Sequence, residues 1–209
     1  MFTYRPDTPW GRALERIGTA LILNLLWLLC SLPVVTVGPA TAALYVAVRR
    51  HLLRGEGYTV AMFFRALRDN LRQAGVLGLI ALAIAGIAGA SAWAGWSSAP
   101  LAAGAAVLVG GVFFGCVMFW CVPVSARFDN TVVAHLRHGL ILGLTHIGST
   151  ILVLAGLAGL VYAVMRFLPT VFVLPVALMT AWTWNIERVF RKFGFVPDPP
   201  PPADDEPAA

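Results

Sequence analysis

Long apolar runs, separated by short clusters of charged residues, are the main pattern along this chain. The first run has no charged residue in the 32 positions between Arg16 and Arg49. As a single helix it would extend about 48 Å, whereas the hydrocarbon core of a bilayer is about 30 Å thick. Pro33, Gly38 and Pro39 lie near its middle, and proline disrupts the interior of a helix. The pattern therefore predicts two helices joined by a break at these residues.

The remaining apolar sequence divides in the same way. The 54 uncharged residues between Arg72 and Arg127 are too many for one crossing, and the turn residues at 96–100 split them. Arg166 and Pro169 divide the last apolar region. The pattern predicts an all-α fold, a polytopic helical membrane bundle of six segments in three hairpins. The segments are expected at about residues 15–32, 39–54, 74–96, 101–125, 140–165 and 168–187.

The second segment is short and follows the Pro/Gly break. Only residues 40–48 precede the Arg49-Arg50 pair, so these side chains must snorkel if the segment spans the bilayer fully. Alternatively it is a half-helix, and the first hairpin turns back within the bilayer. The orientation of the later segments is the same in both cases, and the sequence leaves both open.

The composition excludes a water-soluble domain. Hydrophobic residues make up 59% of the chain and charged residues 12%, with a mean hydropathy of +0.80, whereas soluble domains have about 45–50% and about 25%. The net charge is +5, but a nucleic-acid-binding domain would collect its basic residues on one exposed face. Here they lie between apolar segments, so we expect the lipid bilayer and not nucleic acid as the partner.

The distribution of basic residues predicts the orientation. Under the six-segment assignment, fourteen of the fifteen lysines and arginines fall on one side, and only Arg166 falls on the other. Cytoplasmic loops are enriched in lysine and arginine. We therefore expect a multi-pass protein of the cell membrane, with N- and C-termini in the cytoplasm. The membrane domain covers residues 1–195, and the proline-rich acidic residues 196–209 are expected to be a disordered tail.

An amphipathic cytoplasmic helix is predicted at residues 58–73, with a shorter counterpart at 130–138. A helix that only lies on lipid needs basic and apolar residues. This one also carries Asp69, Asn70 and Gln73, which suit directional hydrogen bonds to a partner protein. Partner contact and simple lipid attachment are both open.

Polar residues within membrane segments are candidates for function. Asn24 lies in the first segment, where a hydrogen bond to another helix is the commoner role and ligand contact is the alternative. The break from Pro33 through Gly38 to Pro39 is expected to be held inside the bundle, since irregular backbone at membrane depth must be satisfied there. Asn24 and Thr36 are the side chains nearest to its unpaired backbone groups.

A second polar group is predicted in the fifth segment. His146, Ser149 and Thr150 share one helix face at spacings i, i+3 and i+4, a set that can relay protons or hold an ion. Every Asp and Glu is assigned to a loop, a helix end or the tail, so proton-coupled transport driven by a carboxylate is disfavoured. The three cysteines, Cys30, Cys116 and Cys121, form no C-x-x-C pair and are interpreted as small core residues. No catalytic, cofactor or metal site is predicted.

Three stretches carry a resemblance to a known family. They are NLLWLLCSLPVVTVGPATAALY at 24–45, FFRALRDNLRQA at 63–74 and RFDN at 127–130. These stretches resemble the YesL-like family of bacterial integral membrane proteins. That resemblance implies a bacterial membrane protein of unknown function, in a family often encoded beside carbohydrate importers of the ATP-binding-cassette type, and it supplies no catalytic residues.

The resemblance and the missing active site favour a non-enzymatic accessory protein that assists or regulates carbohydrate uptake. Its expected partner is a sugar-importer permease subunit. The alternatives are a small-solute transporter or channel, which the broken segment favours, and an intramembrane enzyme.

Overall fold

The structure, a computed structural model, describes residues 9–53, 60–128 and 130–192. The predicted tail 196–209, residues 58–59 of the amphipathic helix and Asp129 of the RFDN stretch lie outside the described residues. All regular elements in the described ranges are helical, as the apolar pattern predicts. The α-helices are α1 (Pro9–Ser31), α2 (Val37–Ala47), α3 (Val60–Gly95), α4 (Pro100–Cys116), α5 (Val122–Ser125), α6 (Val132–Thr145), α7 (Ile147–Arg166) and α8 (Leu174–Lys192). Two 3-10 turns, Val34–Thr36 and Leu168–Phe172, and two π-helical turns, Val48–Leu53 and Val117–Cys121, connect them.

Four helical stretches of the described chain are long and apolar enough to cross a bilayer. They are Leu14–Ser31, Val60–Gly95, Pro100–Ser125 and Ile147–Arg166. The predicted second segment corresponds to α2, which has only eleven residues, and α8 is not among the four. The membrane-helix character is therefore confirmed, but the count of six segments is not.

The predicted amphipathic helix and third segment form one continuous helix, α3, of 36 residues. The expected boundary at residues 73–74 is wrong because nothing there ends a helix: the sequence has no proline, and the polar residues are good helix formers. At about 1.5 Å per residue α3 is about 54 Å long, well beyond the ~30 Å hydrocarbon core. Its charged residues lie in the N-terminal part, so that part projects past the apolar region.

The break between α1 and α2 lies at the surface of the bundle. Leu32 is 75% exposed, Val34 and Val35 are also exposed, and only Gly38 and Pro39 are buried. The expectation that the whole break is held inside the bundle is therefore wrong. Apolar side chains such as these are suited to lipid, and the backbone of the turn is satisfied locally. Pro39 is in the first turn of α2, where proline is tolerated.

A close contact between glycines joins α2 to the middle of α3. A methyl group added at Gly78 would lie 2.8 Å from the Cα atom of Gly38, and a methyl group at Gly38 would collide with the backbone of Ala74. Farther along α3, Ala88 contacts α4 at Gly110. The tip of the first hairpin thus reaches the middle of α3, and α4 packs on the rest of it.

The predicted fifth segment is broken at His146, so the expected continuous helix at 140–165 is wrong. The backbone of His146 leaves the helical region (φ −111°, ψ 45°) and separates α6 from α7. The hydroxyl of Thr145 donates to the carbonyl of Ile141 at 2.8 Å, which is the local competition that weakens helices at Ser and Thr. The shorter predicted helix at 130–138 therefore continues inward as α6, capped by the Thr131 hydroxyl.

Small residues allow α6 to pack closely on the end of α4 and on the π-helical turn Val117–Cys121 that follows it. A methyl group at Gly139 would lie 2.8 Å from the Cα of Cys121, and one at Gly143 would collide with the side chain of Cys116. Small-residue spacings permit this kind of backbone approach between membrane helices.

Two tryptophans lie at the centre of the core. Trp120 and Trp182 are 0% and 2% exposed, and their rings pack edge to face at 5.0 Å. The indole N–H of Trp182 donates to the carbonyl of Phe119 at 2.7 Å, and that of Trp120 donates to Thr150 at 3.1 Å. Because each N–H has a partner, both rings are buried without an unsatisfied donor.

Candidate functional site

A buried charge cluster joins three distant parts of the chain. The carboxylate of Glu187, in α8, lies 2.8 Å from the guanidinium of Arg49 and 3.0 Å from that of Arg127. The hydroxyl of Tyr45 donates to the same oxygen at 3.3 Å. Exposed fractions of the three charged side chains are 10%, 6% and 3%. Glu187, which the sequence assigns to a helix end, is thus a buried carboxylate near the end of α8.

Each of the three charged residues lies at or near the end of a helix. Arg49 is in the π-helical turn that follows α2, Arg127 follows α5, and Glu187 is in the last turns of α8. The guanidinium of Arg127 also lies 4.9 Å from the ring centroid of Phe190, a cation–π contact. A buried ion cluster stabilises little in net terms but specifies one arrangement of its elements. The cluster therefore fixes how α2, α5 and α8 meet.

The sequence contained a signal for Glu187. The buried side of α8 repeats at helical spacing through Val176, Met179, Thr183 and Phe190, and Glu187 falls four residues after Thr183 on the same stripe. An acidic residue on an otherwise apolar stripe indicates a buried partner. The basic residues that follow Glu187 in the sequence make this residue resemble the start of a loop.

A cleft of about 390 Å³ opens between the start of α7 and the end of α8. Within the described chain, no carboxylate pairs with its three basic side chains, which are all exposed. The guanidinium of Arg188 lies over the ring of Trp184 at 3.4 Å from its centroid. The lining residues are His146, Ser149, Asn185, Arg188, Val189, Arg191 and Lys192.

The predicted cluster of His146, Ser149 and Thr150 does not form a single site. Thr150 is buried and donates to the carbonyl of Gly143 at 2.8 Å, while Ser149 faces the cleft. The ring of His146 lies 5.7 Å from that of Trp120. His146 and Ser149 both line the cleft, whereas Thr150 is turned into the core, where it also accepts from Trp120.

Asn24 and Thr36 have different roles. The amide of Asn24 is fully buried and donates to the carbonyl of Val171 at 2.8 Å, in the turn before α8 and not in the break. Its carbonyl oxygen has no hydrogen-bond partner among the described residues. The hydroxyl of Thr36 contacts the carbonyls of Cys30 and Pro33 at 2.5 and 2.7 Å. Thr36 thus satisfies backbone groups freed by the break, whereas Asn24 ties α1 to the last hairpin.

The three candidate partner-contact residues differ in accessibility. Asp69 is exposed, but the amide of Asn70 donates to the carbonyl of Ala66 in its own helix at 2.8 Å. Gln73 donates to the carbonyl of Asn130 at 3.0 Å and lies 3.2 Å from the ring of His135. Gln73 therefore braces α3 against α6, and of the three only Asp69 is fully presented to a partner.

No set of three or more His, Cys, Asp or Glu side chains arranged to hold a metal ion occurs in the described ranges. Cys116 and Cys121 are buried and Cys30 is half-buried. The chemistry that the described side chains offer is ion pairing and hydrogen bonding, at the charge cluster and in the basic cleft.

The fold and these contacts define a protein of apolar helices compatible with a membrane location. The model of a family described as "Protein of unknown function, DUF624" matches residues 20–91, about a third of the chain. This match covers the second half of α1, all of α2 and most of α3, and it is consistent with the resemblance to YesL-like proteins. No curated protein and no solved structure matches the chain.

Proposed function

We propose that this chain is a non-enzymatic, multi-pass protein of the bacterial plasma membrane that assists carbohydrate uptake by an ATP-binding-cassette importer. It has six inserted segments in three hairpins, and its N- and C-termini are cytoplasmic. Its cytoplasmic end binds the permease subunit of the importer. The carbohydrate part of this proposal rests on the family resemblance, and the binding part rests on the contacts described above.

The observation that carries the proposal is the N-terminal part of α3. It projects past the apolar region as a rigid helix, braced by α2 at Gly38 and by α6 through Gln73. Its outer side presents Arg68, Asp69 and Arg72, which are exposed. Pre-organised surfaces bind with a smaller entropy loss than flexible ones. The charge cluster of Glu187 adds to this rigidity, since it ties three other elements together.

Co-purification from native membranes that contain a tagged permease tests the proposal. The variant Arg68→Glu with Arg72→Glu reverses the charge of the exposed side and leaves the bracing residue Gln73 in place. We expect this variant to lose the permease while it still inserts into the membrane. Arg166→Glu, at the opposite end of the bundle, is the matched control and should retain the permease. Equal recovery of the permease with both variants would show that α3 is not the contact.

A small-solute transporter is the second candidate, and one observation favours it. The π-helical turn Val117–Cys121 packs on the broken helix pair α6–α7, and the rings of Trp120 and His146 meet there. Interruptions of this kind are frequent at functional sites and in the broken helices of transporters. Flux of labelled sugars into proteoliposomes that contain only this protein would support transport. Absence of flux, together with recovery of the permease, would support the accessory role.

A further inference from the structure

We propose that the cleft between the start of α7 and the end of α8 binds a phosphate group, carried either by an anionic lipid headgroup or by a free phosphate compound. The inference concerns a second surface, and it does not depend on the permease contact. It rests on the charges, the geometry and the size of the cleft.

The charges of the cleft favour an anion. Arg188, Arg191 and Lys192 follow one another at i, i+3 and i+4, so they project from one side of α8 within about one turn. Like charges at this spacing repel each other. The neighbouring carboxylate of Glu187 does not neutralise them, because it points into the core and is bound by Arg49 and Arg127.

The geometry of the cleft suits the oxygens of a phosphate group. The stacking of Arg188 on Trp184 at 3.4 Å orients the plane of the guanidinium, and a planar guanidinium binds phosphate through two parallel N–H bonds. The neutral side chains of Asn185 and Ser149 line the same cleft and can donate further hydrogen bonds. An apolar ligand would leave these groups unsatisfied.

The size of the cleft leaves room for more than an isolated ion. About 390 Å³ lies within the ~300–1,000 Å³ range of small-ligand sites. Trp184 is 47% exposed, and half-exposed tryptophans beside basic residues are typical of the headgroup region of a membrane. Basic pockets between membrane helices are known sites for anionic headgroups.

Native mass spectrometry of the purified full chain tests the proposal. The protein is titrated with phosphatidylglycerol and, separately, with zwitterionic phosphatidylcholine. The cleft variant is Arg188→Gln with Lys192→Gln. The matched control is Arg16→Gln with Arg137→Gln, two exposed arginines of α1 and α6, which removes the same number of charges. We expect the affinity for phosphatidylglycerol to fall about thirtyfold in the cleft variant and to be unchanged in the control. Arg188→Lys keeps the charge but loses the planar fork, so it should show an intermediate loss.

In the second part of the experiment, inorganic phosphate is the ligand. The measured quantity is the thermal unfolding midpoint in phosphate, compared with the midpoint in chloride at equal ionic strength. Selective loss of phosphatidylglycerol in the cleft variant alone identifies a lipid headgroup. A phosphate-dependent shift that is absent from the cleft variant, without lipid preference, identifies a free phosphate compound. If neither ligand distinguishes the wild type from the cleft variant, or if both variants lose binding equally, the proposal is wrong. Unfolding midpoints without ligand verify that the variants are folded.

Discussion

Glu187 carries one negative charge between two arginines, so its removal breaks two buried ion pairs. Removing one partner of a buried ion pair typically costs about 3–5 kcal/mol. We therefore expect Glu187→Gln to lower the free energy of unfolding by about this amount, measured as denaturation in detergent. The loss should exceed that of an ordinary hydrogen bond, because glutamine matches the shape but not the charge.

The control for this prediction is Asp69→Asn, which removes the same charge from an exposed position. Surface charges contribute about 0–1 kcal/mol, so its unfolding curve should stay close to that of the wild type. A combined Glu187→Gln and Arg49→Gln variant should lose less than the sum of the two single variants, because the two residues interact. Additive losses would mean that the ion pair is not formed.

A second prediction at the residue scale concerns Asn24, where we expect a smaller loss of stability. Asn24→Leu removes one hydrogen bond to the carbonyl of Val171, and such bonds in membrane proteins contribute about 1 kcal/mol. We expect a destabilisation of this size, measured as the melting point in detergent. Asn70→Leu is a matched control, because the Asn70 amide bonds only within its own helix. Equal melting points for the wild type and Asn24→Leu would exclude a role in joining α1 to the last hairpin.

At the scale of elements, helix contacts depend on where glycines lie. The closest approach between α2 and α3 is from backbone to backbone, at Gly38 and Gly78, where no flexible side chain can move aside. Overpacking of a well-packed contact costs about 1–3 kcal/mol. We expect Gly78→Ala to destabilise the protein within this range, measured as the unfolding midpoint.

Gly86→Ala, two turns farther along α3, is the matched control. No atom lies within 4 Å of a methyl group added there, and alanine has a helix propensity about 1 kcal/mol better than glycine. This variant should be neutral or stabilised. If Gly78→Ala behaves in the same way as Gly86→Ala, the first hairpin does not pack on α3 as described.

The sequence predicted those element boundaries that depend on local signals. The turn before Pro100 and the break after Arg166 are found as expected, because proline, glycine and clustered charge act within a few residues. The break at His146 has only the weak local signal of Thr145, and the burial of Glu187 depends on contacts with residues far away in sequence. The burial of Trp120 and Trp182 also depends on distant residues, because their rings pack on each other and Trp120 donates to Thr150.

At the scale of the whole molecule, the depth of the first hairpin decides the topology. Gly38 contacts α3 near Ala74 and Gly78, which are 17 or more residues from its end at Gly95. At about 1.5 Å per residue this contact lies at least about 25 Å below that end. The tip is only a few residues beyond Gly38. This depth favours the half-helix alternative for the second segment, and we expect the first hairpin to turn back within the bilayer.

Cysteine labelling tests this depth and the orientation together. In a Cys30→Ala background, single cysteines are placed at Val60, Ser98 and Val34, which are all exposed on the protein surface; Cys116 and Cys121 remain because they are buried. An impermeant maleimide applied to intact cells should label position 98 and leave position 60 unlabelled, since the arginine-rich side is cytoplasmic. Position 60 should react after permeabilisation. Position 34 should resist labelling in both conditions, because thiols react in water and we expect the tip of the first hairpin to lie in lipid. Labelling of position 34 from outside would establish a full crossing by the first two segments, and labelling of position 60 in intact cells would reverse the orientation.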